Sequence, residues 1–111
     1  CAADGGPVLL VAFDVQAVGA LASVTRSSGL LAAAFVVSPV AGPRSRAAFD
    51  LELVGGASVP EALRSDAARS LRGNAMADVL PFAEALALDR SEPLELPLSA
   101  SLAIRLSPVG L

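Results

Sequence analysis

Two uninterrupted apolar segments constrain the fold of this chain most strongly. Residues 7–13 read PVLLVAF and residues 30–38 read LLAAAFVVS, and Gly, Pro or Asp bounds each segment. A short apolar run between such residues is typical of a strand that is covered on both faces. We therefore predict a central strand at 7–13 and a second strand at 30–38, although the alanines of the second run also permit a helix. Residues 15–28 lack a clean period and are predicted to form a loop.

Alternating patterns predict three further strands. Residues 47–56 alternate between apolar side chains and carboxylates, which indicates a strand with one solvated face. Residues 93–99 and 101–107 alternate in the same way and are joined by a short polar turn, so we expect a hairpin. Pro97 lacks the N–H group that a central strand donates, and it makes the first strand of this hairpin an edge strand.

A helix is predicted over residues 58–73. Ser58 and Glu61 have the spacing of a capping box, in which each side chain bonds to a free backbone N–H at the start of the helix. Apolar side chains recur every four residues after this box. Gly73 is suited to the residue that follows a helix, where a left-handed backbone is common.

Residues 74–89 predict a second helix, with an apolar stripe along one side. Pro81 removes a backbone N–H, so the helix either kinks at Pro81 or begins near Asp78 as its N-cap, which places Pro81 in the first turn. The predicted order is β-β-β-α-α-β-β. We interpret residues 1–111 as a single α/β domain with a mixed sheet.

Composition limits the partners of this chain. Hydrophobic residues make up 54% of the sequence and aromatic residues only 4%. Apolar faces built from small aliphatic side chains often pack against another chain, which favours an oligomer. The net charge is −3, the eight basic residues are scattered, and Trp and Tyr are absent, so we expect no binding to nucleic acid. No apolar run reaches the ~18–20 residues that span a bilayer.

The residues that usually carry catalysis are scarce. The chain contains no His, which removes the commonest general base and zinc ligand, and it has no phosphate-binding glycine motif. Asp50 and Glu52 share one strand face and are interpreted as its solvated side. Asn74 suits a helix cap better than a substrate-binding amide, and Arg26 suits either an anion contact or an exposed loop. Cys1 lacks a nearby cation that would make it a nucleophile. We predict no catalytic, cofactor-binding or metal-binding residue.

Two stretches resemble the β-ketoacyl synthase family. Residues 6–58, which contain GPVLLVAFDV and GLLAAAFVVS, resemble the end of the N-terminal half of a synthase. Residues 73–108 are similar to the tail of stand-alone relatives, which often read NPAARALPLLEALA before two short strands. Ala75 departs from the Pro that is common in the family. The matching residues in this tail are Asn74, Leu80, Pro81, Glu84, Ala85, Leu86 and Ala87.

The resemblance implies the second part of a thiolase-like layered fold, with a covering helix and further strands upstream of Cys1. The family nucleophile would lie a full helix earlier, so no catalytic residue is carried over to this chain. It implies a non-catalytic accessory or chain-length-factor type of subunit in fatty-acid or polyketide biosynthesis. Such a subunit would be cytoplasmic, would form a homo- or hetero-oligomer with a synthase, and would work with an acyl carrier protein.

One alternative remains open from the sequence alone. A Cys at the first position followed by small residues is also typical of a processed lipoprotein, so the chain could be a small envelope module anchored through Cys1. Under either interpretation the first strand needs a cover. Where no partner is present, we expect self-association through its apolar face.

Overall fold

The computed structural model describes residues 5–56 and 59–110. Its elements confirm the predicted order and α/β content. They are β1 (Val8–Val15), β2 (Leu30–Val37), β3 (Ala48–Gly55), α1 (Asp66–Leu71), α2 (Leu80–Ala87), β4 (Leu94–Ser99) and β5 (Leu102–Val109). Two short 3-10 turns occupy Gly19–Ser23 and Ala77–Val79.

The chain divides into two compact units. The first comprises Cys1–Ala41 and Ser65–Leu80, and the second comprises Gly42–Arg64 and Pro81–Leu111. The interpretation of the chain as one domain therefore stays a prediction. In the described parts of both units, every strand pair is antiparallel and the strands form two separate sheets rather than the mixed sheet that we predicted. A local reason exists for β4 and β5, because residues 100–101 alone join them and so short a link permits only an antiparallel pair. Residues 16–29, which join β1 to β2, are long enough for either arrangement, so the length of this link does not decide it.

In the first unit, β1 and β2 form a two-stranded sheet. The register runs from Val8 opposite Val37 to Val15 opposite Leu30. We predicted that β1 is covered on both faces, and this prediction is wrong: most of its side chains are exposed. Among the described residues β1 has a single neighbouring strand, whereas a central strand has two.

Helix α1 is shorter than predicted because Ser65 provides its own N-terminal cap. Ser65 has an extended backbone and its side chain accepts a hydrogen bond from the Ala68 N–H at 3.1 Å. Asp66 then places a negative charge in the first turn, where the helix dipole favours it. Residues 59–64 are not helical, and the predicted cap at Ser58 lies outside the described residues.

Gly73 allows Ser28 to approach its backbone closely, and it does not form the C-terminal cap of α1. The C-terminal cap of α1 is Arg72, and the backbone of Gly73 is not left-handed. The Gly73 carbonyl accepts a hydrogen bond from the Ser28 N–H at 3.0 Å. A Cβ atom at Gly73 would lie 2.5 Å from Ser28 Oγ, so a larger residue does not fit without a shift.

The second unit packs α2 on one face of a three-stranded sheet. The strand order is β3-β5-β4, so β4 with its Pro97 is an edge strand, as predicted. Helix α2 begins at Leu80, which confirms the predicted position of Pro81 in its first turn, and Asp78 lies within the 3-10 turn that precedes the helix. The core of this unit contains Ala85, Leu94 and Leu106, with Phe49, Phe82, Leu96 and Ile104 packed around them.

The apolar face of β3 is only partly covered. The ring centroid of Phe49 lies 5.7 Å from that of Phe82 on α2. Leu51 and Leu53 point to the same side of the sheet as Phe49 and are each 67% exposed. The prediction that β3 exposes only its charged face is therefore wrong. Helix α2 has eight residues and a length of about 12 Å, which is shorter than the strand that it would need to cover.

Candidate interaction surface

One face of the β1–β2 sheet consists only of apolar side chains. Successive residues of a strand point to opposite faces, so the register assigns four pairs to this side of the sheet. We call it the outer face. Its residues are Leu9 with Val36, Val11 with Ala34, Phe13 with Ala32, and Val15 with Leu30. All eight are exposed, and the six larger side chains are 59% to 72% exposed.

The size of the outer face is that of a protein contact. Each strand has eight residues, which gives a length of roughly 27 Å at about 3.4 Å per residue. Two strands with their side chains have a width of roughly 10 Å. Soluble monomers rarely expose a contiguous apolar patch larger than a few hundred Å², and a two-stranded sheet is marginally stable without further cover. The outer face is therefore a candidate packing surface.

Asn74 lies below the sheet as a buried polar brace and is only 4% exposed. Its Nδ2 group donates to the Ser28 carbonyl at 3.0 Å and lies 3.4 Å from the carbonyl oxygens of Asp14 and Gly29. Its Oδ1 atom accepts a hydrogen bond from the Met76 N–H at 2.9 Å. Asn74 thus ties the ends of β1 and β2 to the segment after α1. It caps neither α1 nor α2, and its amide is occupied by backbone groups rather than directed at a substrate.

Ser27 and Asp14 extend this brace. The Ser27 hydroxyl donates to Asp14 Oδ2 and accepts a hydrogen bond from the Ala75 N–H at 2.9 Å. The backbone N–H of Gln16 closes the same end of the sheet by donating to the Gly29 carbonyl at 2.8 Å. These contacts fix the geometry of the two strands, and they leave the Ser27 hydroxyl bound on both sides.

In the second unit, Arg90 forms a two-pronged ion pair with Glu61. Arg90 Nη1 lies 2.8 Å from Glu61 Oε2, Arg90 Nη2 lies 3.2 Å from Glu61 Oε1, and the Arg90 side chain is 16% exposed. The hydrogen bonds that Arg90 donates to Glu61 raise the pKa of Arg90 above its ordinary value. A cavity of about 10 Å³ beside the pair has room for about one water molecule. This cluster joins the segment before α1 to the residues after α2.

Arg105 links all three strands of the second sheet on its charged face. Its side chain lies 2.7 Å from Glu95 on β4 and 3.1 Å from Glu52 on β3. The hydrogen bonds that Arg105 donates to Glu95 raise the pKa of Arg105 above its ordinary value. Asp50 and Glu52 are exposed, as predicted for the solvated side of β3. Glu52 is paired with a cation, and it does not form an acid–base pair with Asp50.

The second unit also has an open groove of about 210 Å³. Its floor includes Phe49, Ala85 and Pro108. An ion pair between Arg46 and Asp89, 2.9 Å apart and largely exposed, lies on its lining. The groove holds apolar surface and one exposed ion pair, and it lacks a nucleophile or base positioned for a reaction.

Other residues considered from the sequence do not assemble into a site. Arg26 is exposed, and Cys1 lies outside the described residues. Within residues 5–56 and 59–110, no group of three or more His, Cys, Asp or Glu side chains is placed to hold a metal ion. Among the helices in those ranges, none is both long enough and apolar enough to cross a membrane.

The roles of Ser27, Arg90 and Arg105 could not be predicted from the sequence, because each depends on a partner from a different element of the fold. No protein-family model matches the sequence, and no curated protein or solved structure matches it either. The outer face is therefore the best candidate for a functional surface.

Proposed function

We propose that this chain is a non-catalytic, β-ketoacyl-synthase-like subunit with a thiolase-like fold, and that it acts by packing the outer face of β1–β2 against another protein chain. The observation that carries this proposal is the outer face itself, whose eight exposed side chains are all apolar. The resemblance of residues 6–58 and 73–108 to β-ketoacyl synthases supports the synthase context.

The polar side chains support a structural rather than a catalytic role. Asn74 and Ser27 bind backbone groups and Asp14 within the first unit. Arg90 and Arg105 are paired with glutamates in the second unit. Acyl transfer needs a nucleophile with a base beside it and donors for the oxyanion, and the chain contains no His for the commonest form of that arrangement.

In this proposal the subunit shapes the acyl tunnel of a catalytic synthase in cytoplasmic fatty-acid or polyketide biosynthesis. The partner synthase supplies the nucleophile and receives acyl groups from an acyl carrier protein. The outer face contributes shape and apolar surface. Its effect is therefore on which chain lengths the partner produces, and the chemical step itself belongs to the partner.

A reconstitution with a β-ketoacyl synthase from the same organism tests this function. The lengths of the acyl products are measured by mass spectrometry with and without the chain. We expect the wild-type chain to shift the product lengths, and Val11→Lys on the outer face to abolish the shift. Val40→Lys is a matched control, because Val40 is a 72% exposed valine outside the outer face.

Three results would contradict the proposal. The first is turnover of an acyl thioester by the isolated chain, which would make it an enzyme. The second is an unchanged product distribution with the wild-type chain, which would remove the synthase context. The third is a diacylglyceryl mass on Cys1 of the protein purified from its own cells, which would support an envelope lipoprotein instead.

A further inference from the structure

We infer that the outer face binds a second copy of this chain, with the two β1–β2 sheets packed face to face. The inference rests on the proposed role of the outer face as a docking surface, and it names a second copy as the occupant when no synthase is bound, since one face cannot hold both partners at once. Its basis is a shape that is complementary to itself, which is the requirement for a two-fold symmetric contact.

The two strands of the outer face differ in side-chain size. In the middle of β1 lie Val11 and Phe13, and directly opposite them on β2 lie Ala34 and Ala32. The middle of β1 is therefore a ridge, and the middle of β2 is a trough beside it. Phe13 is 72% exposed, so the ridge stands clear of its own sheet.

A two-fold axis parallel to the strands and midway between two such sheets brings ridge and trough together. This rotation exchanges the positions of β1 and β2 and keeps the height along the strands. Phe13 of one copy then lies over Ala32 of the other, and Val11 lies over Ala34. In the middle of the contact, facing large and small side chains fill the space between aligned sheets without overlap, and at its two ends Leu9 faces Val36 and Val15 faces Leu30.

Charge and area agree with this pairing. The chain has a net charge of −3, yet the outer face carries no charged side chain, so two copies meet there without like charges in contact. Two outer faces of this size bury on the order of 1,000 Å² of accessible surface, near the lower limit for specific interfaces. We therefore expect a weak, reversible dimer with a dissociation constant in the micromolar range or above.

Sedimentation velocity of the purified chain over micromolar to sub-millimolar concentrations tests the pairing. The wild-type chain is expected to shift from monomer to dimer as the concentration rises. Ala32→Leu fills the trough under Phe13, and we expect it to weaken dimerisation by about ten- to a hundredfold. Ala100→Leu adds the same bulk to an exposed turn outside the outer face and is expected to leave the dimer unchanged.

The double variant F13A/A32L places a small residue on β1 and a large residue on β2 in one pair, which reverses their order in the wild-type chain. It restores one large and one small side chain at each contact, so we expect it to recover most of the dimerisation that Ala32→Leu loses. Circular dichroism of each variant checks that the chain is folded, and the double variant changes the side-chain volume of the sheet only by the difference between Phe and Leu. Misfolding cannot explain dimerisation that is recovered when a second substitution is added.

Two outcomes would overturn this inference. If Ala32→Leu strengthens association, the outer face is generally adhesive and has no defined fit. If the wild-type chain stays monomeric at all concentrations, a second copy is not the occupant. The second outcome is distinguishable from failure of the proposed function, because the product-length assay with a synthase measures docking of a different chain.

Discussion

Removing the side chain of Asn74 tests whether the polar brace holds the β1–β2 sheet in place. Asn74→Ala deletes the donor to the Ser28 carbonyl and the acceptor for the Met76 N–H. These are the two shorter hydrogen bonds of the side chain, and both belong to a residue that is 4% exposed. Backbone groups that lose their partner in such a place are not readily hydrated.

The expected cost follows from these two bonds. A buried polar group left without its partner costs about 1–3 kcal/mol, and an ordinary hydrogen bond contributes about 0.5–1.5 kcal/mol. Two lost bonds therefore lower the local stability by about 2–4 kcal/mol. Because about 1.4 kcal/mol corresponds to a factor of ten, amides protected by the brace should exchange about thirty- to several hundredfold faster.

Hydrogen–deuterium exchange is the appropriate assay, because the chain contains no Trp or Tyr for fluorescence. The N–H groups of Gln16 and Ser28 report on the braced end of the sheet. The amides of β4 and β5 serve as an internal control from the other unit. Asn74→Asp keeps an acceptor for Met76 but loses the donor, and it should be at least as destabilised as Asn74→Ala. Wild-type exchange at Gln16 and Ser28 in both variants would refute the brace.

Three further predictions concern stability. Arg90→Met leaves the Glu61 carboxylate partly buried without its cation and should lower the unfolding free energy by about 1–3 kcal/mol. Urea titrations followed by circular dichroism measure this loss, and adding Glu61→Gln to the variant should recover part of it. The pKa of Arg90 is higher in the folded than in the unfolded state, so its contribution to the unfolding free energy is complete below the unfolded-state pKa and is lost only as the pH rises through the folded-state pKa. The stability difference between wild type and Arg90→Met should therefore stay constant from neutral to mildly alkaline pH. Leu94→Ala should cost about 2–5 kcal/mol because Leu94 is 2% exposed, whereas the same change at an exposed leucine of β3 should cost less than about 0.5 kcal/mol. Gly73→Ala should lower the melting temperature by several degrees, and Ser28→Ala should restore it, since Ser28 Oγ is the atom that the new methyl group meets. Failure of the second substitution to rescue the first would show that another contact is responsible.

Local signals in the sequence were sufficient for most of the secondary structure. The hairpin β4–β5, the edge position of Pro97 and the position of Pro81 in the first turn of α2 all follow from residues within a few positions of one another. The start of α1 was wrong because two serines, Ser58 and Ser65, both precede helix-forming residues, and the sequence alone does not rank them. The brace was not predictable, because Asn74 and Ser28 are 46 residues apart and nothing local marks them as neighbours.

The burial of the strands was predicted from side-chain chemistry, and this prediction was wrong. A run such as VLLVAF shows that both faces of a strand are apolar, but it does not show what covers them. The described helices are about 9 Å and 12 Å long, whereas the longer strands extend roughly 27 Å. Helices of that length cannot cover both faces of one sheet and the full face of another. The uncovered remainder lies at the outer face and at Leu51 and Leu53. The apolar surface of the strands thus exceeds what the described helices can bury, and that excess is the physical basis of the proposal that β1–β2 packs against further protein surface.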